Sequence, residues 1–394
     1  YCNITIEMTA PPCPPPKTAL GRHRLLSPSA SVYISPLSLG ALNFGEAWKD
    51  KFGECTKETA FEMLDFFYEQ GGNFIDTANM YQDEESEIWV GEWLAKRGLR
   101  DDMVIATKFT SGYKAQSDKT RMQSNYGGSG TKSLHLSVEA SLRKLQTDYI
   151  DILYVHYWDM ATSAEELMQS LNILVQERKV LYLGISDAPA WWVVKCNSYA
   201  RYHGMRPFCV YQGRWNAAIR DIEREIIPMC RDQDMGLAVW GALGGGYFKP
   251  KSQRGQAGDG RKTGIKHGRE DLVADVLERV AERLSVPMTS VAMAWVMQKA
   301  PHVVPIVGGR KIEHLRGNIE ALSLELSEED IREVDEAYLF EPGFPFDFLG
   351  GGKMPHGPGD VVFNQRFGNF DYVAEAKAIK PHRGPLSTHG PKWH

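Results

Sequence analysis

From Ser38 to Leu322 short apolar or β-branched runs alternate with longer segments of helical period, about eight times over. The runs are Ser38–Leu42, Phe74–Asp76, Met103–Thr107, Ile150–Val155, Leu181–Ile185, Phe208–Tyr211, Gly236–Trp240 and Val303–Val307. Helical segments follow at Glu58–Gln70, Glu84–Lys96, Ser133–Leu145, Ala164–Glu177, Trp191–Tyr202, Ile222–Gln233, Leu272–Leu284 and Lys311–Leu322, with an extra one near Thr289–Lys299. Apolar strands separated by amphipathic helices imply a parallel sheet covered by those helices. Eight such units predict an α/β fold, a closed (β/α)8 TIM barrel over residues 31–340. A doubly wound open sheet is the rival, but no GxGxxG follows the first strand and no Walker glycine–lysine loop occurs.

Four stretches break the alternation. Residues 1–30 read as an irregular arm, in which Pro11–Pro16 interrupts any apolar core a secretion signal would need; the chain opens on Tyr1, and Met8 reads as a natural start. Tyr113–Gly130 and Lys249–Glu270 are long polar loops after the third and seventh strands, where barrel enzymes build their sites and where such loops serve as lids or as slack. Residues 341–394 form a tail rich in Phe, Gly, Pro and His, placed to cover a pocket.

A net charge of −5 offers no basic footprint for nucleic acid, and no apolar stretch approaches the roughly 20 residues of a membrane span. The six cysteines are scattered without a CxxC pair, as expected of reduced thiols in a cytoplasmic protein. No residue spacing suits a metal.

The chemistry lies at strand ends. Asp76 closes the second run (FIDTANMY), Lys108 follows the third (VIATKF), and His156 follows the fourth (LYVHYWD), while Tyr81 lies five residues past Asp76. In a parallel barrel these groups converge on one rim. Singly, each has an ordinary reading: Asp76 as a helix cap, Lys108 as a solvated strand end, His156 as a core histidine, Tyr81 as a loop aromatic. Together they suit proton transfer to a carbonyl oxygen. Lowering a phenol by about two pKa units takes roughly 2.7 kcal/mol. A cation about 4 Å away supplies on the order of 4 kcal/mol at an effective dielectric of about 20. Asp76 would keep Lys108 charged, and His156 would orient the carbonyl. Such a set protonates a carbonyl but cannot reduce it, so the hydride must come from a cofactor.

These motifs, with VVPIVGGRKIEHLRGNIEAL at 303–322, resemble the aldo-keto reductase superfamily over about residues 31–345. The strings GISDAPAW and VWGALGGGYF, with EQGGNFIDTANMYQDEESE, are most similar to the fungal aryl-alcohol dehydrogenases and norsolorinic-acid-reductase-like proteins of secondary metabolism. The resemblance implies a barrel reductase using NADPH. It implies that Ser186, Asp187 and Gln212 hold the nicotinamide carboxamide, although the family usually has Asn where this chain has Asp187, and that Trp240 stacks on the nicotinamide. Gly308, Gly309, Arg310, Lys311, His314 and Asn318 would take the adenosine phosphate end, with Arg310 on a 2′-phosphate.

The leading expectation is therefore an NADPH-dependent oxidoreductase interconverting aldehydes or ketones with alcohols, with Tyr81 as general acid and base. Trp48, Phe109, Tyr113, Tyr157, Trp158 and Phe248 are candidates for an aromatic pocket favouring a planar aromatic carbonyl, or for rim packing. Two other classes stay open: a cofactor-binding regulatory subunit of low turnover, as potassium-channel β-subunits resemble, and a barrel hydrolase or lyase without nicotinamide.

Overall fold

The structure, a computed structural model, describes residues 13–115, 119–120, 122–254 and 268–387. Met8, part of the proline run, and most of the loop at Lys249–Glu270 lie outside the described residues, as do four positions of the loop at Tyr113–Gly130.

The fold is the expected one. Strands β3 (Ser38–Gly40), β4 (Phe74–Asp76), β5 (Val104–Phe109), β6 (Ile150–Val155), β7 (Val180–Ser186), β8 (Val210–Arg214), β9 (Gly236–Trp240) and β10 (Val303–Val307) close into a barrel, β10 returning to β3. Every neighbouring pair is parallel, so every strand delivers its C-terminal end to the same rim. Helices cover the outside, each starting where local chemistry allows. Ser163 caps helix Ala164–Gln176 by accepting from the Glu166 amide.

Two elements differ from expectation. The segment read as a helix over Ile222–Gln233 is a short 3-10 turn at Asp221–Glu223, followed by an α-helix only over Ile226–Asp232. Pro228 accounts for the late start, because proline is tolerated only in a helix's first turn. Arg24–Ser27, in the stretch read as irregular, forms strand β1 and pairs antiparallel with β2 (Ala30–Ile34).

That hairpin closes the barrel's N-terminal end. Leu26, Ala30 and Ile34 share one buried cluster with the barrel-lining side chains Phe74, Ala106, Ile152, Tyr154, Val210, Ala238 and Val304. The hairpin sits so close to β9 that a Cβ on Gly236 would collide with the Leu26 carbonyl oxygen. A larger cluster between the strands and the helices forms the outer core.

The tail reaches the flank of this assembly. Its polar contacts include Glu375 with Arg231, Lys380 with Glu325, and the Leu386 carbonyl with Arg22. None of these groups touches Asp76, Lys108, Tyr81 or His156. No helix among the described residues is long and apolar enough to cross a membrane.

Candidate active site

Side chains alternate along a strand, so the residues two before each rim position point inward as well. Phe74 and Ala106 line the barrel interior, which puts Asp76 and Lys108 above them on the same inner face. Lys108 is fully buried, and its Nζ donates to Asp76 Oδ2 at 2.6 Å and to the Thr77 carbonyl at 2.7 Å. The same ammonium lies 3.3 Å from the Tyr81 hydroxyl. Asp76 Oδ1 is taken by Gln212 Nε2 at 2.8 Å.

His156 completes the group, its ring edge-on to Tyr81 with centroids 5.9 Å apart. Its Nδ1 lies 3.4 Å from Ser111 Oγ. The structure thus brings all four expected residues together.

Electrostatics sharpens their states. Burial would lower the Lys108 pKa, but Asp76 and Tyr81 more than offset this, leaving the ammonium held above its usual range. Burial raises the Tyr81 phenol above its usual range, and Lys108 only partly counters that shift. The lowering expected from Lys108 is therefore not reached: removing the phenolate from water costs more than one neighbouring cation returns. Tyr81 is a protonated hydroxyl at neutral pH. Burial, aided by Lys108, pushes His156 down to about 3, so its imidazole is neutral.

The turn that carries Tyr81 is strained and braced. Gln82, Asp83 and Glu84 all have positive φ, at 52°, 52° and 90°. Such conformations persist only when surrounding contacts hold them. Gln82 donates to the Leu42 carbonyl and accepts from the Trp48 amide, while the Trp48 indole donates to Asp83. Below, Lys114 pairs with Glu84 and Lys144 with Glu87, and Lys144 also donates to the Asn79 carbonyl. Sequence reasoning missed Glu84, Glu87 and Lys144. Glu84 and Glu87 lie one turn apart at the start of helix Glu85–Arg97, but nothing in the spacing signals that Lys144, about 60 residues on, meets them.

Of the remaining expected residues, Ser186 pairs in register with Gln212, both buried at the rim. Asp187 follows at φ 42°, a left-handed conformation that Asp and Asn tolerate better than most side chains. Burial raises its carboxyl to about 6, against a hydrogen bond from Trp240 and the charge of Arg214. Gly308, Gly309, Arg310, Lys311, His314 and Asn318 follow β10, at the same rim but two strands beyond β8. Lys311 precedes helix Ile312–Glu320, Asn318 is buried on it, and Arg310 lies against Gly53.

The candidate aromatic pocket divides. Trp48 stands edge-on to Tyr81 with centroids 6.5 Å apart, and Tyr157 packs against His156. Phe109, Tyr113 and Phe248 are buried side chains, with Phe109 and Phe248 in the outer core. Trp158 packs edge-on to Trp191 and tilted against Trp192. The string VWGALGGGYF carries a further feature: after β9, Gly241, Gly244, Gly245 and Gly246 all have positive φ. No group of His, Cys, Asp and Glu suited to a metal occurs among the described residues.

Comparison with known proteins agrees with this architecture. Residues 36–339 match the aldo/keto reductase family. The chain is 56% identical over 379 residues to an aryl-alcohol dehydrogenase of Pestalotiopsis microspora, covering 95% of this chain and 97% of that protein. It is 55% identical to norsolorinic acid reductase B of Dothistroma septosporum, covering 91% and 94%. With the norsolorinic acid reductase of Aspergillus flavus the identity is 56%, covering 87% of each.

Proposed function

The chain belongs to the aldo/keto reductase family, and from that premise we propose that it is an NADPH-dependent oxidoreductase interconverting aldehydes or ketones, aromatic ones foremost, with their alcohols. One observation carries the reading: the buried Lys108 ammonium bridges the Asp76 carboxylate and the Tyr81 hydroxyl. The relatives' names support carbonyl and alcohol chemistry.

Support for a dinucleotide comes from the rim. Gly245 and Gly246 have no atom within 4 Å of where a Cβ would lie, which leaves open backbone for a phosphate to approach. At the next strand's end, no side chain caps the N-terminus of helix Ile312–Glu320, a position that favours an anion. Ser186, Asp187, Gln212 and Trp240 would hold the nicotinamide end, and Gly308, Gly309, Arg310, Lys311, His314 and Asn318 the adenosine phosphate end. NADPH, when bound, supplies the hydride.

The protein's own groups move the proton. Tyr81 gives its hydroxyl hydrogen to the carbonyl oxygen as negative charge develops there, and takes it back from an alcohol in the reverse direction. Lys108 stabilises the phenolate left behind, and Asp76 keeps Lys108 aimed and charged. His156 is neutral and so donates a hydrogen bond to the carbonyl without competing as an acid.

The test is Tyr81→Phe, assayed with NADPH and benzaldehyde. Turnover should fall by roughly 10²–10⁴-fold, the usual share of general acid catalysis, with NADPH affinity held within a few-fold. Near-normal turnover would reject the role.

A further inference from the structure

Arg214 ends β8 and shares its inner face with Val210 and Gln212, because successive side chains alternate. Val210 lines the barrel interior and Gln212 touches Asp76, so Arg214 stands one step further out, over the mouth of the site. Its guanidinium lies over the Trp240 ring, 5.7 Å from the centroid. Arg214 is exposed and makes no hydrogen bond or ion pair with another described residue.

The other cation at the centre, Lys108, is consumed by Asp76 and Tyr81. Arg214 pairs in register with Trp240, and its Cγ lies 3.8 Å from where a Cβ on Gly241 would stand, so it flanks the first residue of the glycine loop after β9, while the segment after β10 starts one strand further on. A planar guanidinium propped on an aromatic face, with its donors free, matches the two oxygens of a carboxylate.

We infer that Arg214 is a specificity-determining residue that receives the carboxylate of an aromatic carbonyl substrate at the mouth of the barrel. This rests on the reductase reading for its substrate, but the anion site itself does not need turnover. A substrate whose carbonyl reaches Tyr81 and His156, and whose far end extends to the rim beyond the end of β8, would meet Arg214 there. The bound carboxylate displaces water from an exposed guanidinium, so the contact is opposed by the dehydration of both charges but not by the loss of a protein ion pair.

The experiment compares the wild type with Arg214→Met and Arg214→Lys, using 4-formylbenzoate and its methyl ester as substrates with NADPH. Arg214→Met should lower kcat/KM for 4-formylbenzoate about ten-fold or more, mainly through KM. The ester and the KM for NADPH should move less than about three-fold. Arg214→Lys should fall between, as a point charge without the fork. In parallel, calorimetry with terephthalate, which cannot be reduced, should show about ten-fold weaker binding to Arg214→Met than to the wild type. Equal effects on acid and ester, an effect centred on NADPH, or unchanged terephthalate binding would overturn the inference. If the wild type oxidises NADPH with neither aldehyde, the proposed reaction fails, and the terephthalate result still decides the role of Arg214.

Discussion

Gln212 donates its amide hydrogen to Asp76 Oδ1 at 2.8 Å, reaching across the barrel from a strand 136 residues further along the chain. Asp76 thus has one oxygen on Lys108 and the other on Gln212, and neither can rotate away. Gln212→Leu removes the second partner and leaves a buried carboxylate oxygen unsatisfied. A loss of about 1–3 kcal/mol of stability is expected, read by urea unfolding. Turnover should fall as well, because Asp76 is then free to tilt from Lys108. A variant of wild-type stability and rate would show that Gln212 does not anchor the group.

Lys108→Met strands Asp76 in the barrel with no cation. Breaking one side of a buried pair costs about 3–5 kcal/mol. Asp76→Asn combined with Lys108→Met should recover part of that loss, since no charge remains buried. Both proteins should be inactive with aldehydes. Thermal melts of the single and double variants decide this, and a double variant no more stable than the single one would contradict it.

The two shifted groups at the rim give opposite pH slopes. His156 titrates at about 3 instead of 6.5, so the unfolded chain binds more protons in that window. Its contribution to stability is complete above pH 6.5 and falls as the pH drops, by up to about 1.4 kcal/mol per pH unit. Asp187, raised from 3.8 to about 6, works the other way: its contribution is lost as the pH rises through that interval. His156→Asn should therefore narrow its gap to the wild type as pH falls from 6.5 toward 4.5, in urea midpoints at each pH. A gap that stays constant would mean His156 is not held neutral by the fold.

Gly236→Ala tests the hairpin at the far end. The added methyl would meet the Leu26 carbonyl oxygen, and overpacking of this kind costs about 1–3 kcal/mol. Since Asp76 and its partners lie at the opposite end, turnover per folded molecule should stay within about two-fold. A lower melting temperature with unchanged kcat is the expected pair of results.

Much of the site was legible because barrel chemistry sits where apolar runs stop, and Asp76, Lys108 and His156 each mark such a stop. Aromatic residues were harder to place. Phe109 follows Lys108 directly, so the alternation that turns Lys108 inward turns Phe109 toward the outer core. A loop ring such as Phe248 carries no such parity, and its burial depends on how the backbone folds back. Arg24–Ser27 escaped notice because four residues ending in a turn carry too little pattern to announce a strand. The ion pairs of Lys144 with Glu84 and Glu87 are long-range accidents of packing to a reader of sequence.

Leu26, Ala30 and Ile34 leave the ribosome before any of the eight strands they will plug. Their seat is assembled from Phe74 through Val304, so it does not exist until most of the chain has been synthesised. A segment made before its seat is among the last able to find its home, and until then its greasy face has to be tolerated by the growing chain or shielded by a chaperone.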